Sequence, residues 1–135
     1  MSEELESQRT LTKDLLARLA DPREGVRETA AEALAVSTED EDWRPDDLIL
    51  GDGIDILSGL LGEKNTHIVR AALTTITAIA TAGEEETLID RGVIAILDRM
   101  QGHKDPVIRK LVAEALWLLV PEVEEVVTSK PQDEY

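Results

Sequence analysis

The chain has 135 residues, which suggests one domain, and 42% of them are hydrophobic, which indicates a globular protein. With no Phe, one Tyr and two Trp, its core must be built from Leu, Ile, Val and Ala, which suit close helix packing. The net charge of −15 disfavours binding to nucleic acids and membrane surfaces, and the lack of Cys excludes disulfides and thiolate metal sites.

The first predicted elements are two helices that form a hairpin. Residues 1–10 are polar, and we expect a flexible N-terminus there. Helical spacing of the apolar residues from Leu11 to Leu19 predicts the first helix. Asp21-Pro22 ends it and begins the second helix, with Asp21 as N-cap and Pro22 in the first turn. The start of the chain lacks the basic and apolar stretches of a secretory signal, so we expect a cytoplasmic protein.

The second unit begins after an acidic segment. Residues 37–47 are acidic and interrupted by proline, which predicts the longest loop, with a short helix starting near Pro45. Helical spacing then resumes over 54–61 and over 66–81, with a turn at 62–65. Gly83 is a typical C-terminal glycine stop for the long helix 66–81.

The third unit repeats this scheme. Residues 84–86 are all Glu, which favours the start of a short helix, and a second helix is predicted over 93–100. Asp105-Pro106 begins a third helix that Pro121 ends or kinks. One more short helix is expected over 122–127, and residues 128–135 are expected to form a polar C-terminal tail.

Three segments of the chain are similar to one another, and each carries an arginine before an Ala- and Leu-rich run. The arginines are Arg27, Arg70 and Arg109, which lie 43 and 39 positions apart. Self-similarity at about 40 residues is typical of stacked helical repeats. The sequence therefore predicts a single repeat domain over residues 11–127.

Two of these units resemble armadillo repeats on the segments Gly53-Ile54-Asp55-Ile56-Leu57 and Gly92-Val93-Ile94-Ala95-Ile96-Leu97. The segments 26–34 and 108–116 resemble HEAT repeats, and the first unit is similar to a two-helix HEAT repeat. The resemblance implies an all-α fold, a right-handed α-solenoid of about three armadillo/HEAT-like repeats. It also implies that the turn residues pair with the repeat arginines within or between units; these turn residues are Asp21, Asn65 and Asp105.

The armadillo resemblance also bears on ligands. Many armadillo proteins hold an extended peptide with an Asn on the third helix, and Ala78 and Leu118 occupy that place in this chain. The groove tryptophan of the family aligns with Thr74 and Glu114. We therefore do not expect a peptide groove of the nuclear-import type.

The leading functional prediction is a non-enzymatic adaptor for protein–protein interactions, with no cofactor and with a protein partner of unknown identity. Its binding face would be the groove of the long third helices, with these candidate contacts: Arg27, Thr74, Thr77, Thr81, Arg109, Ala113 and Trp117. The alternatives are a small regulatory or accessory subunit that docks on an enzyme, of the HEAT-like lyase type, and a homo-oligomeric structural protein. A monomer or a weak homodimer fits the prediction.

Other candidate sites have simpler explanations. His67 and His103 occupy matching turns and could lie near each other, but solvated turn residues are the favoured interpretation, and no metal site is predicted. Glu28 and Glu32 fit the solvated outer face of the first unit. Trp117 is either a cap on the core or a binding anchor, and Trp43 is either a lid or an anchor.

The excess of acidic over basic residues suggests a protein that works at high salt concentration. There are 29 acidic residues and 14 basic ones, and Arg is more frequent than Lys. This composition resembles that of proteins from salt-accumulating halophiles, in which hydrated carboxylates cover the surface. An ordinary acidic mesophilic protein is the alternative.

Overall fold

The structure, a computed structural model, describes the backbone of residues 2–120 and the side chains of residues 11–120. This part of the chain contains helices and no strand, which confirms the all-α class. The helices are α1 (Ser2–Leu19), α2 (Glu24–Ser37), α3 (Asp46–Leu50), α4 (Gly53–Leu60), α5 (Thr66–Thr81), α6 (Glu85–Asp90), α7 (Val93–Arg99) and α8 (Pro106–Leu119), with a 3₁₀ turn at Met100–Gly102. The predictions for Pro121, for a helix over 122–127 and for a polar tail over 128–135 lie outside the described residues.

Most helices begin where local signals predict. Asn65 is the N-cap of α5, and its side-chain oxygen accepts hydrogen bonds from the backbone N–H groups of His67 and Ile68. Asp105 caps α8 in the same way, with Pro106 in the first turn. α5 ends as predicted, because Gly83 adopts a left-handed φ of 96° just beyond it. α1, however, begins at Ser2, well before the predicted start at Leu11.

The start of α2 differs from the prediction. Asp21 is not its N-cap: the carboxylate of Asp21 accepts hydrogen bonds from the backbone N–H and the guanidinium of Arg23, and the helix begins only at Glu24. The turn between Asp21 and Arg27 is two residues longer than the one between Asp105 and Arg109. The longer turn delays the helix and leaves the aspartate to stabilise the turn.

The three long helices after α1 pack side by side in chain order. α2 lies between α1 and α5, and α5 lies between α2 and α8. α4 and α7 support α5 and α8 from behind, and α3 and α6 link the units. α5 is the most buried element: Ile68, Ala72, Leu73, Ile76 and Ile79 are completely buried in one continuous aliphatic core. None of the described helices is long and apolar enough to cross a membrane.

Aligning the units by their buried residues gives a different register from aligning them by their arginines. A buried residue of α5 lies 40 positions before each buried residue of α8, namely Ile108, Val112, Ala115 and Leu119. The buried residues of α2 lie 42 positions before buried residues of α5. By this alignment Arg27 is equivalent to Arg109, and Val69, not Arg70, takes their place in the middle unit. The arginine of the middle unit is therefore shifted by one position.

The corner before α4 also differs from the sequence alignment of the units. Asp52 adopts a left-handed φ of 64°, as Gly92 does with 80°, and both residues precede the second helix of their unit. Gly53 is therefore equivalent to the buried Val93 and not to Gly92. It lies against α3, where an added Cβ would be 2.6 Å from the carbonyl oxygen of Leu48. This close approach of two backbones is what requires glycine.

Candidate functional site

We define the long-helix face as the exposed sides of α2, α5 and α8. Two of the concave regions in the described part of the chain lie on this face. The first is the α2/α5 groove, a cavity of about 410 Å³. Val36, which is 64% exposed, lies on its α2 side. Thr74 lies on its α5 side, and the hydroxyl of Thr74 donates to the carbonyl of Arg70. The groove therefore combines exposed apolar surface with a rim of polar and charged side chains from both helices: Glu32, His67 and Arg70.

The second concave region is the α8 cavity, of about 370 Å³. Three of the predicted contact residues line it together, because Arg109, Ala113 and Trp117 are four residues apart and share one side of α8. Leu116 and Val120 add apolar surface. Trp117 is 58% exposed, and the segment after Pro121, which would cover it if it were a cap on the core, lies outside the described residues.

The other predicted contacts are spread out. Thr81 is exposed near the end of α5, and its hydroxyl donates to the carbonyl of Thr77. The hydroxyl of Thr77 is buried, without a hydrogen-bond partner in residues 11–120. Arg27 lines neither the α2/α5 groove nor the α8 cavity. The structure thus brings together three of the seven predicted residues.

Arg27 joins the first unit to the second. Its Nε and Nη2 donate to the two carboxylate oxygens of Glu63, at 2.7 and 3.0 Å, and Nη1 donates to the backbone carbonyls of Asp21 and Pro22. The hydrogen bonds that Arg27 donates to Glu63 raise the pKa of Arg27 above its ordinary value. Arg109 holds its own turn similarly, because its Nη1 donates to the carbonyl of His103, six residues earlier. Such forked, half-buried pairs fix geometry, which suits a structural role.

Arg70 joins the second unit to the third, which the family resemblance implies. Its Nη2 donates to the carboxylate of Asp105 at 2.9 Å. This hydrogen bond, with those from the N–H groups of Val107 and Ile108, lowers the pKa of Asp105. In the first unit, Arg23 lowers the pKa of Asp21 to about 2, but this pair is local. The pairing that the resemblance implies thus holds between units at Arg70 and, through the backbone carbonyl of Asp21, within the first unit at Arg27. Arg27 also pairs with Glu63, a partner that the motif did not indicate.

Asn65 makes a different contact between the first two units. Its amide nitrogen donates to Glu24 at 2.7 Å and to Glu28 at 2.9 Å, while its oxygen caps α5. Glu28 is half-buried and lies toward α5, and Glu32, although exposed, lines the α2/α5 groove. The prediction that both belong to the outer face of the first unit is therefore wrong. An aspartate at position 65 would face two carboxylates, which explains why this cap is an amide.

The two histidines have separate surroundings. The Nδ1 of His103 accepts a hydrogen bond from the backbone N–H of Asp105, so His103 stabilises its own turn. His67 instead lies beside two glutamates of α2, and one donor atom each from Glu28, Glu32 and His67 lies within 4.8 Å of the other two. The sequence does contain a signal for this cluster, two Glu four residues apart on a helix, but only the packing of α2 on α5 adds the imidazole.

Trp43 lies in the acidic loop between α2 and α3. It is half-buried and packs against the aliphatic core. Among the two interpretations of Trp43, the packing favours the lid over the binding anchor. This leaves Trp117 as the tryptophan available on the long-helix face.

Comparisons with known proteins inform the fold only. No protein-family model matches the chain, and no curated protein sequence matches it. Among solved structures, it is similar to two engineered proteins that were targets of the Northeast Structural Genomics Consortium, with TM-scores of 0.69 and 0.71 and sequence identities of 22% and 21%. Each alignment covers 78% of this chain, which spans 43% and 26% of the length of those proteins. The likeness supports the helical architecture.

Proposed function

We propose that this protein is a non-enzymatic adaptor that binds a protein partner on its long-helix face. Its helices form a right-handed solenoid of about three armadillo/HEAT-like repeats. The sequential packing of α2, α5 and α8 supports the solenoid, because stacked repeats contact mainly their neighbours. On this proposal the protein works in the cytoplasm without a cofactor, as a monomer or a weak homodimer.

The observation that carries the proposal is the α8 cavity with Trp117 at its edge. A tryptophan that is 58% exposed keeps a large apolar area in water, and tryptophan is enriched among the residues that dominate binding energy. Arg109 beside it adds a donor that is common in interface centres. Ala113 leaves room between them for a partner side chain.

The net negative charge of the molecule favours a protein partner. A net charge of −15 repels phosphate backbones and anionic headgroups, so a protein partner is favoured over nucleic acid or a membrane surface. The acidic surface also suits a cytoplasm of high salt concentration, which we include in the proposal because screening removes the repulsion between carboxylates.

The test is affinity capture from the native cytoplasm, at its own salt concentration, with quantification of each bound protein. The baits are the wild type, Trp117→Ala and Ala113→Glu, which places a charge in the α8 cavity. Leu50→Ala is the matched control, because Leu50 is an exposed apolar residue (82%) on α3, outside both concave regions. We expect proteins that the wild type and the control retain and that both cavity variants lose.

Two outcomes would reject the adaptor proposal. One is a set of bound proteins that is the same for all four baits. The other is a stable dimer, measured by light scattering after size exclusion, that Trp117→Ala dissociates while no other protein binds. That second outcome would favour the homo-oligomeric alternative, since Trp117 would then be buried between two copies.

A further inference from the structure

The contact between α2 and α5 holds an unusual set of side chains, the Glu28–Glu32–His67 triad. Glu28 and Glu32 are four residues apart on α2 and therefore share one side of that helix. His67 comes from the first turn of α5, in the next unit. One donor atom of each residue lies within 4.8 Å of the other two. A nitrogen donor from a second helix distinguishes the triad from the ordinary acidic surface of this protein.

No arginine in the described part of the chain forms an ion pair with Glu28 or Glu32, although Arg70 lines the same groove as Glu32 and His67. Glu24, Glu28 and Glu32 follow one another at four-residue spacing, an arrangement of like charges that destabilises a helix. Arg27 is engaged by Glu63, and Arg70 by Asp105. Among the described residues, the only donor that reaches these carboxylates is the amide of Asn65. A bound cation would relieve the repulsion.

The donor types restrict which cation fits. Two carboxylate oxygens and one imidazole nitrogen suit divalent ions of the first transition row, whereas Mg²⁺ and Ca²⁺ prefer oxygen alone. Two ligands of one zinc ion lie roughly 3 to 4 Å apart, since each is about 2 Å from the metal. Glu32 and His67 are exposed, so small rotations of their side chains can close the triad around an ion. Asn65 holds Glu28 in position through its amide.

We propose that Glu28, Glu32 and His67 bind a divalent transition-metal ion such as Zn²⁺ and so link the first unit to the second. The three residues supply three ligands, and water completes the coordination. Because the ligands come from two helices, the ion binds the folded chain better than the unfolded one and raises the temperature of unfolding. This inference does not depend on the adaptor proposal, because the α8 cavity contains none of these residues.

The test is calorimetric titration of the metal-free full-length protein with ZnCl₂, with and without excess Mg²⁺, in 1 M KCl. The high salt weakens diffuse attraction to the acidic surface. We expect one equivalent of Zn²⁺ to bind in the presence of Mg²⁺ and to raise the unfolding temperature. His67→Ala and Glu32→Gln should each weaken binding by roughly tenfold or more. Neither side chain makes a hydrogen bond or an ion pair in the described part of the chain, and circular dichroism would confirm that both variants fold.

Two matched controls distinguish Zn²⁺ binding at the triad from Zn²⁺ binding at other carboxylates or at the other histidine. Glu39→Gln removes a carboxylate from the acidic loop, and His103→Asn removes the other histidine; both should bind Zn²⁺ as the wild type does. The proposal is overturned if the wild type binds no stoichiometric Zn²⁺, if Mg²⁺ displaces it, or if His67→Ala binds equally well. It is also overturned if the two controls lose binding as much as the triad variants do.

Discussion

At the scale of single residues, the two N-caps of the long helices show how the neighbouring unit selects a side chain. Asp105 and Asn65 both cap a helix with one side-chain oxygen. The other end of Asp105 meets a guanidinium from the preceding unit, so a charged oxygen is favourable there. The other end of Asn65 meets carboxylates, so an amide is favourable. The two caps occupy similar positions in the sequence, but Asp105 faces a positive charge and Asn65 faces negative charges, so each position favours a different side chain.

The pH dependence of stability tests the role of Asp105. Because Arg70 lowers its pKa in the folded state, the ionised carboxylate contributes stability above its ordinary pKa of about 3.9, and this contribution is lost as the pH falls through the lowered value. Asp105→Asn keeps the cap but removes the charge. We expect the variant to unfold at a lower temperature than the wild type at pH 6, and the difference to shrink as the pH falls below about 3.9. Thermal unfolding followed by circular dichroism measures both.

Asp21→Asn is the control for this prediction. Arg23 lowers the pKa of Asp21 as well, but the two residues are only two positions apart in sequence, so we expect their pair to form in part in the unfolded chain too. We therefore expect a smaller effect of Asp21→Asn at pH 6. Equal effects of the two variants at pH 6, or a difference for Asp105→Asn that does not shrink as the pH falls below about 3.9, would contradict our account of the contact between units.

At the scale of elements, the sequence predicted α5, α7 and α8 well because their signals are local. Caps, glycine stops and apolar spacing lie within each helix and do not depend on its neighbours. The start of α2 was missed because the same Asp-Pro pair stands in a longer turn. The one-residue shift of Arg70 and the choice of Glu63 by Arg27 were missed because burial and stacking, not the motif, define equivalent positions.

The same reasoning applies to the candidate site. That Arg109, Ala113 and Trp117 share one side of α8 follows from their spacing, and the structure places them around one cavity. The triad could not be derived from spacing, since His67 is distant in sequence from Glu28 and Glu32. It depends on how α2 packs on α5.

Two glycines of α4 provide a prediction at this scale. Gly53→Ala should destabilise the fold by roughly 1 to 3 kcal/mol, because its Cβ would collide with the backbone of Leu48 and the corner between α3 and α4 must shift. Gly59→Ala should instead stabilise it by roughly 0.5 to 1 kcal/mol, because nothing lies within 4 Å of its Cβ and alanine favours the helix. Urea unfolding measures both free energies. Equal effects would refute the tight corner.

At the scale of the whole molecule, the surface charge dominates the response to the solvent. A net charge of −15 on 135 residues destabilises the compact state through repulsion among carboxylates. The screening length falls from about 8 Å at 0.15 M salt to about 3 Å at 1 M. Two ion pairs between units, Arg27–Glu63 and Arg70–Asp105, are short and half-buried, so screening weakens them less than it weakens the long-range repulsion.

We therefore expect the unfolding temperature to rise as KCl increases from 0.05 to about 1 M, because the screening length shortens over this range and the repulsion between carboxylates weakens. The double variant Glu39→Gln/Glu41→Gln, which neutralises two exposed carboxylates of the acidic loop, should show a smaller rise. Differential scanning calorimetry at pH 7 gives both curves. A temperature that stays constant or falls with KCl would argue against a surface suited to salt.

The one-residue shift of Arg70 has a consequence for the order of the units. At the contact between the first and second units, the guanidinium of Arg27 binds Glu63 and the amide of Asn65 binds two glutamates. At the contact between the second and third units, the guanidinium of Arg70 binds Asp105, the residue that caps α8. A copy of the second unit placed behind itself would bring Arg70 to Asn65, an amide that cannot neutralise its charge. The polar contacts between units are thus specific for one pair of units each, and they favour one order of the units along the chain.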